Sequence, residues 1–248
     1  LPLYSKPVAL LYFGCICVLT LGSAWDAPRM FQVLGMTYFL ALCAMMLTSA
    51  VTPPLGEVVK GMQRAWKMSG SLVPPWSDHA TSKYVVMLFA AMTGATVALA
   101  ISMSPFQAVP AMLKPPRNVF SPWPPVVVGV CTVLVFGYAM QSLLLALDKR
   151  GSSALSLFVI VAWILPLIMG GLIGNSSEAV GNVIMAVSPI SGITNAGGVS
   201  IGTTDPETVR MAAMIPTGLL ALAFLGVLLS HERRIRDRVH RENEPRGE

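Results

Sequence analysis

Residues 84–103 read YVVMLFAAMTGATVALAISM, 20 residues without one Asp, Glu, Lys, Arg or His. A helix needs about 20 apolar residues to cross the hydrocarbon core of a bilayer, within a range of about 17–25. A helix on the surface of a soluble domain would show a polar face, and barrel strands would read as short alternating segments. The stretch therefore reads as a transmembrane helix. Five more such runs flank it, at residues 8–24, 30–51, 126–147, 154–174 and 211–229, and all six are 17 to 22 residues long. The expected architecture is an all-α integral membrane protein with six transmembrane helices. It forms a single polytopic domain over residues 1–248, ending in a charged tail at 230–248. Composition agrees: only 12% of residues are charged, about half the roughly 25% usual for soluble domains.

The basic residues give the chain a direction. Segments 1–7, 52–83, 148–153 and 230–248 hold 13 of the 17 Lys and Arg residues. The remaining four, Arg29, Lys114, Arg117 and Arg210, lie on the other side. The positive-inside rule then predicts that both termini and the 52–83 loop are cytoplasmic, in a plasma or inner membrane. No cleavable signal peptide stands out, and a chain starting at Leu1 leaves room for an upstream segment. A nucleic-acid arm is not expected, because the tail mixes six Arg with five acidic residues. Its pairs Glu232/Arg236 and Asp237/Arg241 stand four apart and suit a salt-bridged, solvated helix.

The 52–83 loop carries the strongest local pattern. Leu55, Val58, Val59, Met62 and Trp66 recur at spacings of three and four, the mark of an amphipathic helix. Thr52 reads as its N-cap, Pro53 as its first turn and Gly70 as its stop, with Pro74-Pro75 forbidding continuation. Asp78 reads as a cap for the third span. Glu57, Lys60, Arg64 and Lys67 lie off the apolar stripe. They are the candidate partner-coupling residues, with Trp66 anchoring the helix at the membrane boundary.

On the other side, residues 104–125 hold seven prolines and read as an extended, irregular connection. After the fifth span, Asn175-Ser176-Ser177-Glu178 reads as a capped helix start. The apolar stretch 180–187 is too short to span, and Ser188-Pro189 breaks it before a glycine-rich turn at Gly197-Gly198. Glu178, Ser188 and Pro189 thus mark a re-entrant or interfacial outer element, which needs protein around its free backbone groups. Thr204-Asp205-Pro206-Glu207 reads as another helix start. Pro166 and Pro216 should kink their spans. Ala90, Gly94, Ala98 and Ser102, and likewise Gly170 and Gly174, put small residues on one helix face and so permit close packing.

Several chemistries lack their residues. No glycine-rich nucleotide loop followed by Lys and Ser or Thr occurs. The three histidines are scattered, so no metal set and no cofactor is expected. The four cysteines (Cys15, Cys17, Cys43 and Cys131) all fall in spans and read as buried apolar residues. No ionisable residue lies within a span, which disfavours ion-coupled transport. Gln141, inside the fourth span, should bond to a neighbouring helix. No catalytic residue is identified, and the chain is not expected to be an enzyme.

Six spans with both ends inside, the helix in VTPPLGEVVKGMQRAWKMSG between spans two and three, and the short outer element with Ser188-Pro189 together resemble the membrane subunit of a type-2 ABC exporter (the ABC-2 permease superfamily). The layout covers nearly the whole chain. The proline-rich loop is longer than that family's usual outer connection, and the amphipathic helix that precedes its first span is missing. The resemblance implies an exporter permease driven by a separate cytoplasmic ATPase subunit, acting as a homodimer or heterodimer in the lipid bilayer. It implies that the helix carrying Glu57, Lys60, Arg64 and Lys67 meets the ATPase, and that the outer element closes the exit. The alternative is a non-catalytic structural or assembly subunit of a larger membrane complex.

Overall fold

The computed structural model describes residues 5–23, 29–76, 78, 80–103, 120–198 and 204–243. The turn at 25–28, the part of the proline-rich connection at 104–119, and residues 244–248 of the tail lie outside the described residues.

The chain is an all-helical multi-pass membrane protein, with no strand among the described residues. Helices α1 (Ser5–Ser23), α2 (Arg29–Val51), α4 (Ser82–Met103) and α5 (Trp123–Leu147) are long and apolar enough to cross a bilayer. So are a fifth, composite span at Gly151–Gly174 and the long α10 (Pro206–Asn243). The fifth span consists of α6 (Gly151–Val159), a π-helical turn (Ile160–Ile164) and α7 (Leu165–Gly174). Pro166 lacks the N–H that the carbonyl of Ala162 would need in an α-helix, and the wider turn beside it absorbs that loss. In α10 the helix continues through Pro216.

Helix α5 is central and packs against α2, α4, α6, α9 (Pro189–Ala196) and α10. Two of its glycines make this possible: a Cβ at Gly129 would collide with Thr37 of α2, and one at Gly137 with Val86 of α4. A core of Phe13, Leu40, Val85, Phe89, Val97 and Val133 joins α1, α2, α4 and α5. Phe13 and Phe89 meet edge to face at 5.1 Å. The small residues of α4 contribute mainly through Gly94, where a Cβ would press on Val130. Gln141 bonds across helices as expected, accepting from the Ser82 hydroxyl and donating to the Pro53 carbonyl at 3.4 Å. All four cysteines are free.

The spans alternate in direction, so the bundle has two ends. One holds the starts of α1 and α4, the α5–α6 turn and the last turns of α10, and carries nearly all the basic residues among those described. The other holds the starts of α2, α5 and α10 and the end of α7.

Candidate functional site

At the basic end lies α3 (Leu55–Ser69), the helix predicted from the apolar stripe. Its start differs from expectation. Pro54 is the N-cap, and the Thr52 hydroxyl donates back to the carbonyl of Thr48, closing the last turn of α2. With Pro53 and Pro54 following, no backbone N–H is available at those positions for Thr52 to cap. The C-terminal stop is as expected: Gly70 adopts φ +66° and donates to the carbonyl of Trp66.

The apolar stripe of α3 is covered by the chain itself. Val58 and Met62 are buried in a cluster with Leu72, Val86, Tyr138, Leu145, Leu228 and Val239. Trp66 packs on that cluster, and its ring stands edge-on to His240 at 5.5 Å. The tail thus docks on α3 along one face. Glu232 bonds to Lys83 of α4 rather than to Arg236 four residues on. A part-buried partner on another helix outweighs an exposed i,i+4 pair, which contributes only about 0.3–0.5 kcal/mol.

Asp78 forms a second fastening. Its carboxylate accepts from Arg64 at 3.0 and 3.1 Å and from the backbone N–H of Ala80 at 3.0 Å. Its carbonyl accepts from the ammonium of Lys6, which also donates to the Thr81 hydroxyl at 2.6 Å. Lys6, a basic residue counted at the cytoplasmic edge, is therefore buried. Gly61 lets α3 press on this loop, since a Cβ there would lie 2.6 Å from that of Ala80. Of the predicted coupling residues, Arg64 is thus partly engaged inside the chain, while Glu57 and Lys60 pair with each other at 3.4 Å. Lys60 and Lys67 are exposed.

The opposite end holds α8 (Glu178–Val187) and α9 (Pro189–Ala196), joined at Ser188 with a bend of 113°. The break at Ser188-Pro189 is as predicted. The glycine-rich turn expected to follow instead begins only after α9, at Gly197, because Pro189 starts a new helix and Ser188 caps it by accepting from Ile190 N–H. Ser177 stands at the N-cap of α8, but its side chain makes no cap bond.

Helix α8 runs back along α7 at backbone distance. A Cβ on Gly181 would lie 2.6 Å from the carbonyl oxygen of Gly170 and from Cα of Gly174. The vertex goes deep: the Ser188 hydroxyl donates to the carbonyl of Trp163 at 2.5 Å. Trp163 is the middle of the 24-residue fifth span. From there α9 returns between α2, α5 and α10. Tyr38 donates to the carbonyl of Ile190, and Arg210 Nε donates to that of Ala196 at 3.2 Å. Ser121 N–H closes the exit of α9 on the carbonyl of Gly197 at 3.2 Å. The pair begins beside the end of α7 and finishes beside the starts of α5 and α10. Both its ends therefore lie at one end of the bundle. Asp205, just before α10, caps that helix through Thr208, whose N–H and hydroxyl hold its carboxyl below the usual carboxylate range.

The sequence pattern located α3 and the break at Ser188, but not the residues that fasten them. Lys6, Asp78 and Glu232 read as solvated or capping charges, and Tyr38 and Trp163 as span residues. Only their distant partners reveal their roles. No protein-family model, curated protein or solved structure matches this chain.

Proposed function

We propose that this chain is the membrane-spanning permease subunit of an ATP-driven exporter, energised by a separate cytoplasmic ATPase through α3. The observation that carries this reading is the fastening of α3. Its apolar face is occupied by its own chain, so the charges left exposed along it, Lys60 and Lys67 beside Glu57, are presented on a rigid platform. A helix only resting on lipid would turn its stripe to the bilayer. Supporting it further, α10 touches both α3 and the bent pair α8–α9, so a force on one end has a continuous helix to act through. In this reading the basic end is cytoplasmic. The bent pair enters the outer leaflet to about mid-depth and returns, and two copies of the subunit, or two related subunits, form the path.

One observation favours the second reading, a structural or assembly subunit. Most side chains buried among the described residues are apolar, and buried threonines such as Thr37, Thr93, Thr132 and Thr217 bond to their own helix carbonyls. Such an interior needs no substrate.

Copurification of the intact complex separates the two. The permease reading expects a stoichiometric cytoplasmic ATPase that is lost when Lys60 and Lys67 are both reversed to Glu while the mutant stays folded. Charges paired across an interface cost about 2–5 kcal/mol when a buried partner is stranded. An ATPase-free complex in the wild type sinks the permease reading. Lys67 is the better partner for this double reversal than Arg64, whose reversal would set a carboxylate against Asp78.

A further inference from the structure

On α10, Met211, Ile215, Leu222 and Leu229 are exposed and stand at intervals that return to one helix face. In a membrane protein such a ridge faces lipid. Arg233 continues it, four residues beyond Leu229, and is exposed. At 1.5 Å per residue it sits about 6 Å past the last apolar side chain. That is the depth of the headgroup layer, which adds roughly 5–7 Å to each side of the hydrocarbon core. Arg236 lies one turn on, on the adjoining face. Its Nε is buried and has no hydrogen-bond partner. The acid nearest in the chain on that side, Glu232, is bonded to Lys83 and does not neutralise it. Asp237 stands four residues beyond Arg233 on the same helix face, at an exposed position, and Glu242 lies further along.

We infer that Arg233 and Arg236 form a binding site for the phosphate of an anionic phospholipid in the leaflet at the C-terminal end of α10. Guanidinium groups match phosphate oxygens in pairs. Arg233 meets the headgroup from the lipid side, and the half-buried Arg236, whose Nε is enclosed, adds a second guanidinium charge one turn on. The acyl chains would lie along the ridge of Leu222 and Leu229. The inference does not depend on the permease reading.

The test uses the full chain, purified in neutral detergent and supplied with phosphatidylglycerol, phosphatidylcholine or inorganic phosphate. Bound lipid is counted by native mass spectrometry and stability is read by thermal unfolding. Wild type should retain phosphatidylglycerol over phosphatidylcholine, and salt should weaken this retention. R233Q/R236Q should lose at least about tenfold in phosphatidylglycerol affinity, whereas R241Q, on the solvent face, should bind as wild type. The single variant R233Q, at an exposed position, should lose part of the preference even if the double variant folds poorly. Millimolar inorganic phosphate should not displace the lipid. Equal binding of the two lipids, unchanged binding by R233Q and R233Q/R236Q, or displacement by free phosphate would each overturn the site. So would retention of an acidic protein at these arginines in place of lipid.

Discussion

The two ends of the bundle are fastened by different chemistry. At the basic end the contacts are charged: Arg64 to Asp78, Lys83 to Glu232, and Lys6 to the Asp78 carbonyl and Thr81. Around the bent pair they are mostly neutral: hydroxyls of Ser188 and Tyr38 on backbone carbonyls, and glycine-to-glycine approach between α7 and α8. The exception, Arg210 on the Ala196 carbonyl, lies at the mouth of the pair. Depth explains the difference. A broken helix pair inside a bilayer leaves carbonyls that must be satisfied internally. A hydroxyl satisfies one without the desolvation penalty of an ion, which amounts to several kcal/mol. At a membrane edge water and headgroups lower that penalty, and charges can serve.

Removing one charge from the basic end should have the largest effect. Asp78→Ala removes the carboxylate charge beside the buried Lys6 ammonium, which keeps only the backbone carbonyl and the Thr81 hydroxyl, and frees the half-exposed Arg64. It should destabilise by about 3 kcal/mol, while Lys6→Met, which removes the buried charge itself, should change stability by less than about 1 kcal/mol. Thermal unfolding in detergent measures both, and equal effects would mean that Lys6 does not depend on Asp78. At the other end, Gly181→Val places its Cβ into the backbone of α7 and should cost about 2–3 kcal/mol. Gly171→Val, where a Cβ meets nothing within 4 Å, should stay within about 0.5 kcal/mol. A tolerated Gly181→Val would show that α8 is not seated against α7. Ser188→Ala leaves the Trp163 carbonyl without its donor and should cost about 1–2 kcal/mol. It should also raise the accessibility of cysteines placed on α9. The smallest effect on folding belongs to K60E/K67E, whose side chains are exposed: each change should stay within about 0.5 kcal/mol. Its larger consequence is confined to partner retention.

The same contrast sets what was legible in the sequence. Spans announce themselves as uncharged runs, and five of the six expected runs fall inside their helices, while the first is described as far as Ser23. The stripe from Leu55 to Trp66 announced α3, and Ser188-Pro189 announced the bend, since each is a local pattern. What covers the stripe was not legible, because Leu228, Val239 and His240 come from a helix more than 150 residues away in the chain. Glu232 looked paired with Arg236 by spacing, and only the fold brings Lys83 to it. Helix α9 was hidden because Gly192, Gly197 and Gly198 make its segment resemble a turn. Gly192 in fact serves close packing, a Cβ there lying 2.9 Å from the Ala186 carbonyl. The glycine pair Gly170/Gly174 was legible as a packing face, but its occupant, Gly181, was not.

The proposed orientation puts the charge-fastened end in the cytoplasm and lets the bent pair enter from the other face without crossing. Single cysteines at Lys60 and Glu178, both exposed positions, test it with a membrane-impermeant maleimide. Glu178→Cys should be labelled from outside intact cells, and Lys60→Cys only after lysis. Labelling of Lys60→Cys in intact cells, with Glu178→Cys protected, would contradict it.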